Sequence, residues 1–414
     1  MNLRCVDCDA LFPASMMYHC SHCGGILEVV GLGTGTCGEG NERVSAQPTM
    51  WRYGSRLPVE DLSYAVSLGE GITPIHAANR LADSFEFEGR LLLKDEAVNP
   101  TGSFKDRMLS VAVSRAKELG FEKVVCASSG NAGASAAAYA AKAGMEAVIL
   151  APVHTPREKL TQIAAYGPEV RLVEGHYSNS YRIAQQLSKE FGYANMTTTY
   201  INPYAVEALK TVGYELYEQL EGWIPDYVFV PVGAGPLLKG IYRGFTEARE
   251  VVGILHGDVE KHKDARIPKL IAVQAEGCAP VVKAYESGLD KVSAWGEPYT
   301  IASGISDPLI GYEQDGTHTL QFVKASQGFA ISVSDDEILQ AMRALAVLEG
   351  VFAEPTAACS VAAVKKALQA GAIPQSCSVV CMITAHGFKD FKIYQDMERE
   401  HRKCIFPSYP HRPF

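Results

Sequence analysis

The stretch "NPTGSFKDRMLS", Asn99 to Ser110, places Lys105 between a glycine-containing turn and a run that predicts a helix. Apolar runs flank it, "RLLLKDE" before and "KVVCASS" after, and such runs are typical of strands buried on both faces. Strand, turn, helix and strand in this order form the unit from which parallel α/β sheets are built. Lys105 therefore lies where a strand leads into a helix, either as a surface charge or as a reactive amine.

The same alternation of apolar runs and helical patterns continues along the rest of the chain. Further predicted strands are "MEAVILAP", "EVRLVEG", "DYVFVPVG", "KLIAVQAE" and "SVVCMITA". The predicted helices between them include "GASAAAYAAKAG", "SYRIAQQLSKEFG", "AVEALKTVGYELYEQL" and "SDDEILQAMRALAVLEG". This pattern predicts parallel sheets covered by helices, and a chain of 414 residues is long enough for more than one lobe.

Composition and charge indicate a soluble protein that acts on small molecules. Apolar residues make up 47% of the chain, enough to bury a sizeable core, and no run of about 18 apolar residues predicts a membrane helix. The net charge of -9 is spread along the chain, whereas a nucleic-acid groove requires clustered lysine and arginine. The N-terminus "MNLRCVDCDA" lacks the pattern of a signal peptide. We therefore expect a cytoplasmic protein without a membrane or nucleic-acid partner.

Four of the eleven cysteines form two closely spaced pairs near the N-terminus. The pairs are "CVDC", with Cys5 and Cys8, and "CSHC", with Cys20 and Cys23. Two such turns bring four thiolates into the tetrahedral arrangement that zinc prefers in structural sites. A closed four-sulfur site leaves no open coordination position, so we expect this zinc ribbon to stabilise the fold. Reduced thiols, redox chemistry and nucleic-acid binding by the ribbon are the alternatives.

Three other predicted junctions between a strand and a helix are rich in small residues. They are "ASSGNAGASAAA" at 127–138, "VPVGAGPLLKG" at 230–240 and "MITAHGFKD" at 382–390. Glycine lets the backbone approach a ligand closely, and the free N–H groups at the start of a helix bind anions. Each junction alone is a weak signal, because glycine-rich turns are common and none matches a dinucleotide or P-loop motif. Together with Lys105, they predict a ligand site at the carboxyl ends of the strands.

Five motifs, in this order, resemble the fold type II pyridoxal phosphate enzymes and, among them, the threonine synthase group. The motifs are "NPTGSFKDR", "SSGNAGAS", "PVGAGPL", "EGVFAEPTAA" and "TAHGFKD", with "LGEGITPI" at 68–75 ahead of them. The resemblance covers the chain from about residue 60 onward, and a zinc ribbon at the N-terminus is found in many members of the group. It implies a two-lobed α/β fold similar to the tryptophan synthase β subunit, and a homodimer.

The resemblance also implies roles for individual residues. Lys105 is expected to hold the cofactor aldehyde as a Schiff base and to move protons once substrate has displaced it. Asn131 is expected to bond to the ring hydroxyl. Thr384 is expected to face the ring nitrogen as a neutral group, which favours elimination and replacement over transamination. The backbone of Gly233, Ala234 and Gly235 is expected to hold the cofactor phosphate, and Pro236 and Leu237 are also expected to bind the cofactor. The expected site for the substrate carboxylate is Ser128, Ser129, Gly130 and Ala132.

The sequence departs from the threonine synthase pattern where that group binds the phosphate of O-phosphohomoserine. The arginine expected near Asn202-Pro203 is Ala205, and the threonine expected after Asn131 is Ala132. The segment "TIASGISDPLIGYEQDG" at 300–316 also lacks the expected basic pattern.

Three hypotheses about activity are therefore open. The first is conversion of phosphohomoserine and water to threonine and phosphate. The second is β-elimination or β-replacement on phosphoserine, serine or threonine, as in dehydratases and in cysteine or cysteate synthases. The third is a binding protein that has lost catalysis, which the presence of Lys105, Asn131 and Thr384 disfavours.

The pattern divides the chain into three predicted units. Residues 1–45 are predicted to hold the zinc ribbon and a linker rich in glycine, threonine and serine. Residues 100–205 are predicted to form the smaller lobe, and 46–99 together with 206–414 the larger one. The final segment "HRKCIFPSYPHRPF" at 401–414 has no periodicity, so its packing and role are left open.

Overall fold

The computed structural model of the protein describes residues 1–32, 48–175, 177–256 and 266–399. Most of the predicted linker, its predicted end at residue 45 and the C-terminal segment 401–414 lie outside these ranges. Within them, no helix combines the length and the apolar character that crossing a membrane requires.

The strands of the described residues form three sheets. They are β1 (Asn2–Cys5), β2 (Leu11–Pro13), β3 (Leu27–Val30), β4 (Ile75–Ala77), β5 (Arg90–Asp95), β6 (Lys123–Ala127), β7 (Glu146–Pro152), β8 (Glu169–Val173), β9 (Ala194–Asn195), β10 (Tyr227–Pro231), β11 (Lys269–Ala275), β12 (Ala330–Val333) and β13 (Ser378–Ile383). A three-stranded antiparallel sheet has the order β2-β1-β3. A six-stranded sheet has the order β12-β11-β10-β13-β5-β4, and a four-stranded sheet the order β8-β7-β6-β9.

Helices connect most of the parallel strands, as the sequence pattern predicts. The α-helices are α1 (Asn79–Ser84), α2 (Lys105–Glu118), α3 (Asn131–Ala143), α4 (Arg157–Ala165), α5 (Tyr177–Phe191), α6 (Pro203–Ala208), α7 (Lys210–Gln219), α8 (Pro236–His256), α9 (Pro280–Glu286), α10 (Glu313–Ala325), α11 (Asp335–Ala344), α12 (Pro355–Gln369) and α13 (Phe391–Arg399). Each connection brings the chain back to start the next strand in the same direction.

The two larger sheets differ in detail from the predicted all-parallel, fully buried arrangement. β4 pairs antiparallel with β5 at the edge of the six-stranded sheet, and the sequence has no apolar run that predicts this strand. β8, predicted as a buried strand, is largely exposed or half-buried because it lies at the edge of the four-stranded sheet. Central strands such as β10 and β13 are buried along their whole length, since helices cover both faces.

One predicted helix, "AVEALKTVGYELYEQL", is interrupted in the structure. The chain forms α6 and α7, with Leu209 between them. The Leu209 N–H bonds to the Val206 carbonyl three residues back, at 3.1 Å, so the helix tightens there. The Leu209 side chain packs against Gly240 of α8, where a β-carbon would lie only 2.4 Å from the leucine Cβ. Close packing between helices thus accompanies the break, which periodicity alone does not reveal.

The strands of the two larger sheets come from separate stretches of the chain. The four-stranded sheet uses residues 123–195, and the six-stranded sheet uses 75–95 and 227–383. This division supports the two predicted lobes, 100–205 and 46–99 with 206–414, whose limits stay a prediction.

The small antiparallel sheet packs onto the rest of the protein through α6. Leu3 and Leu27 share a buried apolar cluster with Tyr204. The Tyr204 hydroxyl also donates to the Ser15 carbonyl at 2.7 Å. The N-terminal segment is therefore a docked part of the structure.

A buried ionic network joins α2 to the six-stranded sheet and to α7. The Arg107 guanidinium donates to both oxygens of Glu96, at 2.7 and 2.8 Å, and to both of Glu215, at 2.6 and 2.7 Å. Lys94 in β5 contacts Glu215 at 3.0 Å, and all four side chains are buried. Buried charges are tolerated only when each has a partner. The network therefore fixes α2, whose first residue is Lys105, relative to the sheet.

Replacing Arg107 by methionine should lower the free energy of unfolding by about 3–5 kcal/mol, because Glu96 and Glu215 would stay buried without this cation. The matched control is Arg171→Met, which removes an exposed arginine paired with Glu169 and should cost at most about 1 kcal/mol. Urea unfolding followed by circular dichroism measures both changes. Equal losses in the two variants would contradict a structural role for the network.

Candidate active site

A cavity of about 760 Å³ lies at the carboxyl ends of β6, β10 and β13. Its lining brings together every residue for which the sequence predicts a cofactor or substrate role. They are Lys105, Ser128, Ser129, Gly130, Asn131, Ala132, Gly233, Ala234, Gly235, Pro236, Leu237 and Thr384. Four segments that are far apart in sequence thus converge on one space, as expected for a ligand site in an α/β protein.

The turn before Lys105 is hydrogen-bonded to the end of β13. The Phe104 N–H donates to the Thr384 carbonyl at 3.0 Å, and Ser103 forms an isolated bridge with Ala385. The lysine-bearing turn therefore lies at the carboxyl end of β13, beside Thr384.

A second set of bonds fixes the lysine turn to the helix that carries Asn131. The Asp106 carboxylate accepts from the Thr101 N–H and hydroxyl, and from the Ser135 hydroxyl, each at 2.6 Å. Burial raises the pKa of Asp106 to about 6, although these three hydrogen bonds act to lower it. Ser135 lies in α3, one helical turn after Asn131, so Asp106 sets the position of the lysine turn relative to α3.

The environment of the Lys105 amine makes its neutral form more accessible than that of a solvent-exposed lysine. Its Nζ lies 3.5 Å from the Thr198 carbonyl oxygen. Burial lowers the pKa of Lys105 to about 8, while the nearby Cys126, Asp307 and Glu354 oppose this change. The lowered pKa thus comes from removal of water.

The turn of residues 233–237, called the phosphate turn below, links β10 to the start of α8. Gly235 has φ +104°, and a β-carbon there would lie 2.1 Å from the Thr319 hydroxyl oxygen, so glycine is required. The Thr319 hydroxyl donates to the Ala234 carbonyl at 2.6 Å. A close-packed turn at a helix N-terminus suits a phosphate group, because backbone N–H groups can face it without interference from side chains.

Asn131 is the first residue of α3, and its side chain faces Glu354. The Asn131 amide nitrogen donates to both oxygens of Glu354, at 3.1 and 3.2 Å. Burial, followed by the negative charge of Asp390, raises the pKa of Glu354 to about 7 against the bond from Asn131. Glu354 lies in the motif "EGVFAEPTAA", but the sequence analysis gave it no role.

Thr384 directly follows β13 and is almost fully buried. Its hydroxyl has no hydrogen-bond partner within the part of the chain that the structure describes. A buried hydroxyl without a partner is costly, and such a group at a cavity wall suits a ligand atom that would bond to it. The pyridine nitrogen of pyridoxal phosphate is an atom of this kind, so the residues present fit that cofactor.

The loop of residues 128–132 forms the wall at the end of β6. The Gly130 N–H donates to the Ser128 hydroxyl oxygen at 3.2 Å, and α3 begins at the next residue. A β-carbon at Gly130 would meet no atom within 4 Å, so the loop borders open space. The start of α3 thus presents its N–H groups beside the cavity, an arrangement that suits a carboxylate.

The cavity also contains acidic and phenolic residues that the sequence analysis did not assign. Asp307 accepts from the Tyr312 hydroxyl at 2.6 Å and from the Leu309 N–H at 3.1 Å, and burial raises its pKa. Tyr177 lines the cavity beside them. Asp307 lies in "TIASGISDPLIGYEQDG", and the only sequence signal for it was that this segment lacks the expected basic pattern.

Ala205 is buried in α6 and is not part of the cavity lining. Its N–H bonds to the Asn202 side-chain oxygen at 3.0 Å, which caps the helix. The nearby cation Lys210 contacts Glu207 at 2.6 Å and Glu247 at 3.2 Å, outside the lining. Neither position therefore supplies a cation to the cavity.

Comparison with known proteins identifies several relatives. A family model for "Pyridoxal-phosphate dependent enzyme" matches residues 66–385. The chain is 36% identical to the threonine synthase of Methanocaldococcus jannaschii over 394 residues, which cover 94% of this chain and 92% of that protein. It is also 36% identical to the threonine synthase of Methanosarcina acetivorans over 391 residues, with the same coverage.

Solved structures share the fold. The processed form of threonine deaminase isoform 2 from Solanum lycopersicum has a TM-score of 0.64 and 22% identity, covering 79% of this chain and 82% of that one. At this identity, the likeness concerns the fold alone. It agrees with the two-lobed fold type II architecture predicted from the sequence.

The resemblance inferred from the five motifs is thus confirmed by relatives that match almost the whole chain. The protein is a pyridoxal phosphate-dependent lyase with threonine synthase-like chemistry. The chain belongs to the family of pyridoxal phosphate-dependent enzymes and, within it, to the threonine synthase group.

Proposed function

We propose that the protein converts O-phospho-L-homoserine and water to L-threonine and phosphate, with pyridoxal phosphate held in the cavity. The observation that carries the proposal is the convergence on this one space of Lys105, the phosphate turn and the Thr384 hydroxyl, which has no partner among the described residues. The substrate follows from the relatives, which are threonine synthases at 36% identity over most of the chain.

The cofactor would be held through four of its groups: the aldehyde, the phosphate, the ring hydroxyl and the ring nitrogen. Lys105 would form the covalent link to its aldehyde through Nζ. The phosphate turn would receive its phosphate at the start of α8, and Asn131 would bond to its ring hydroxyl. Thr384 would bond to its ring nitrogen through the hydroxyl that has no partner among the described residues. Glu354, which holds the Asn131 amide, would fix the orientation of that side chain.

When bound, pyridoxal phosphate acidifies the carbon-bound hydrogens of an attached amino acid and stores the electron pair that their removal leaves. The Lys105 amine, released from its covalent link by the substrate, would take and return these protons, since a pKa of about 8 leaves both of its states accessible near neutral pH. A neutral hydroxyl at Thr384 would leave the ring nitrogen unprotonated. That condition favours elimination and replacement over transamination.

The loop of residues 128–132 would bind the substrate carboxylate at the start of α3. The substrate phosphate needs a cation, because burial of an unpaired dianion is costly. Lys159 and Lys389 line the cavity, and Lys159 contacts Asp390 at 2.5 Å. These lysines would supply the charge that threonine synthases are expected to place at the position of Ala205.

A second candidate function is β-elimination or β-replacement on phosphoserine, serine or threonine. The observation that favours it is the pair of Asp307 and Tyr312 on the cavity wall, together with Ala205 at the expected arginine position. An acidic wall repels phosphate and accepts hydrogen bonds from a hydroxyl group. This candidate uses the same cofactor and the same role for Lys105.

A product assay separates the two candidates. The purified protein with pyridoxal phosphate should release threonine and phosphate in equal amounts from phosphohomoserine, as measured by amino-acid chromatography and a phosphate assay. Phosphoserine with sulfite, serine, and threonine, each offered separately, are the comparison substrates. Keto acid and ammonia from serine or threonine, without threonine from phosphohomoserine, would replace the proposal by the second candidate.

Replacing Lys105 by alanine should abolish the visible absorbance of the covalent link and lower the activity at least about 10³-fold, because the amine would be gone. The matched control is Lys142→Ala, which removes an exposed lysine on α3 and should change neither. In wild-type apo-protein, the link should form about ten times faster per pH unit up to a pKa of about 8 and then level off, because only the neutral amine reacts. Survival of the absorbance in Lys105→Ala would refute the assignment.

We also propose that the four N-terminal cysteines bind a structural zinc ion. Their sulfur atoms all lie within 4.8 Å of one another, with 3.5 Å between Cys5 and Cys23 and 3.6 Å between Cys8 and Cys20. Four sulfurs about 2.3 Å from one zinc ion would be separated by about 3.8 Å, so the cluster fits the ion. Redox chemistry is less consistent with a cluster of this shape than metal binding is.

The purified protein should therefore contain about one zinc ion per chain by elemental analysis. Cys8→Ala should lose most of the zinc and lower the melting temperature, because metal binding and folding of the ribbon are coupled. The control Cys359→Ala changes a buried cysteine in α12 and should keep its zinc. Zinc-free wild-type protein with an intact fold would contradict the proposal.

The remaining parts of the proposal concern assembly and location. We propose a homodimer from the family resemblance, with an amino acid as the small-molecule partner and no nucleic-acid or membrane partner. We propose a cytoplasmic location because the cysteines of the described ranges form no disulfide bonds, which suits a reducing compartment. Light scattering on the purified protein measures the mass of the assembly, and a monomer would remove the dimer from the proposal.

A further inference from the structure

Glu28, in β3 of the zinc ribbon, is buried against α10 and against α8, whose first residues line the cavity. One of its carboxylate oxygens lies 2.5 Å from Lys239 Nζ in α8 and 3.2 Å from His318 Nε2 in α10. The other oxygen lies 3.7 Å from the Arg4 guanidinium. Burial acts to raise the pKa of Glu28, but the bonds from His318 and Lys239 outweigh it and hold the pKa well below its usual range. The ribbon thus inserts a fixed negative charge between α8 and α10.

The first route from Glu28 to the phosphate turn runs through Lys239. Lys239 lies in the first turn of α8, directly after the phosphate turn, and its N–H donates to the Gly235 carbonyl at 3.3 Å. Its Nζ lies over the Tyr200 ring, 5.5 Å from the centroid. Glu28 therefore fixes the side chain of a residue whose backbone borders the turn.

The second route runs through His318 and Tyr200. The edge of one ring meets the face of the other, with 5.1 Å between the centroids. The Tyr200 hydroxyl lies 2.9 Å from the Thr319 hydroxyl oxygen, which in turn donates to the Ala234 carbonyl at 2.6 Å. Because Thr319 uses its proton on Ala234, Tyr200 is the donor to Thr319. A continuous set of contacts thus joins Glu28 to the backbone of the phosphate turn.

The cysteine cluster holds the other end of this connection. β1 pairs with β3 so that Cys5 lies opposite Leu27 and Arg4 lies opposite Glu28. Cys5 is also grouped with Cys20 and Cys23, which precede β3 in the chain. A metal ion bound by these thiolates would therefore fix the strand that carries Glu28.

We propose that Glu28 is a positioning residue for the phosphate turn, and that metal binding in the ribbon strengthens cofactor binding through Glu28. The proposal rests on the proposed function, in that it takes the ribbon to bind zinc and the turn to bind the cofactor phosphate. Glu28 contacts neither the cavity nor the cofactor site; it acts through Lys239, His318 and Tyr200. The ribbon is then more than an independently folded appendage.

The test measures the dissociation constant for pyridoxal phosphate in full-length protein from which the cofactor has been removed. The absorbance of the covalent link to Lys105 reports binding. Glu28→Gln should raise the dissociation constant roughly tenfold, since it removes the charge that holds Lys239. Removing zinc with a chelator should raise the dissociation constant in wild-type protein. In Glu28→Gln, the same treatment should raise the constant little further, because both changes act through one connection.

The matched control is Glu247→Gln, which changes a carboxylate of α8, the helix that carries Lys239. Glu247 contacts Lys210 at 3.2 Å and Arg243 at 2.8 Å, and it has no bond to the phosphate turn. This change removes comparable ion pairs and should leave the dissociation constant within about twofold of wild type. An equal weakening in both variants would overturn the proposal, because it would indicate a general loss of stability.

The remaining outcomes also decide the question. An unchanged dissociation constant in folded, zinc-containing Glu28→Gln overturns the proposal. If that variant does not fold, Tyr200→Phe decides instead, since it breaks the bond to Thr319 while leaving the ribbon intact. A several-fold weaker constant supports the proposal, and an unchanged one overturns it. Wild-type protein that never forms the covalent link overturns the proposed function itself, and this inference with it.

Discussion

A guanidinium buried between two carboxylates is the constraint on which the rest of the architecture depends. Arg107 lies two residues after Lys105, Glu96 directly follows β5, and Glu215 lies in α7. Burial would raise the pKa of Glu215, but Arg107 and Lys94 outweigh it and lower this pKa to about 2. Since a buried ion is stable only beside its partners, these elements can separate only by a large local unfolding. The place of Lys105 is thus set by charge pairing outside the cavity, before any ligand contributes.

Much of the fold and the principal site could be predicted from sequence because both have local signatures. Seven apolar runs became strands, since strands buried on both faces require apolar residues on both. The junctions near Lys105, Gly235 and Thr384 were found because close approach of the backbone requires small residues. The exceptions also depend on position in a sheet. β4 is a short antiparallel edge strand without an apolar run. β8 has an apolar sequence typical of a buried strand, but it is partly exposed because it lies at the edge of its sheet.

The sequence could not reveal contacts between side chains that are far apart along the chain. Glu354 bonds to Asn131 across 223 positions of the chain, and Asp307 reaches the same cavity from a loop with no recognisable motif. The sequence analysis did not single out Glu28, yet this residue is buried and paired with Lys239. A carboxylate has no sequence period that marks burial, so its partner is visible only in three dimensions. Of these three acids, Glu354 and Asp307 add carboxyl groups to the lining of the cavity.

The backbone bond between Phe104 and Thr384 gives the site a property that its individual residues do not have. The backbone beside Lys105 and the backbone of Thr384 are joined directly by this hydrogen bond, and not only by packing between the two sheets. A relative movement of the four-stranded and six-stranded sheets would therefore change the width of the cavity more than the distance between the backbones that carry Lys105 and Thr384.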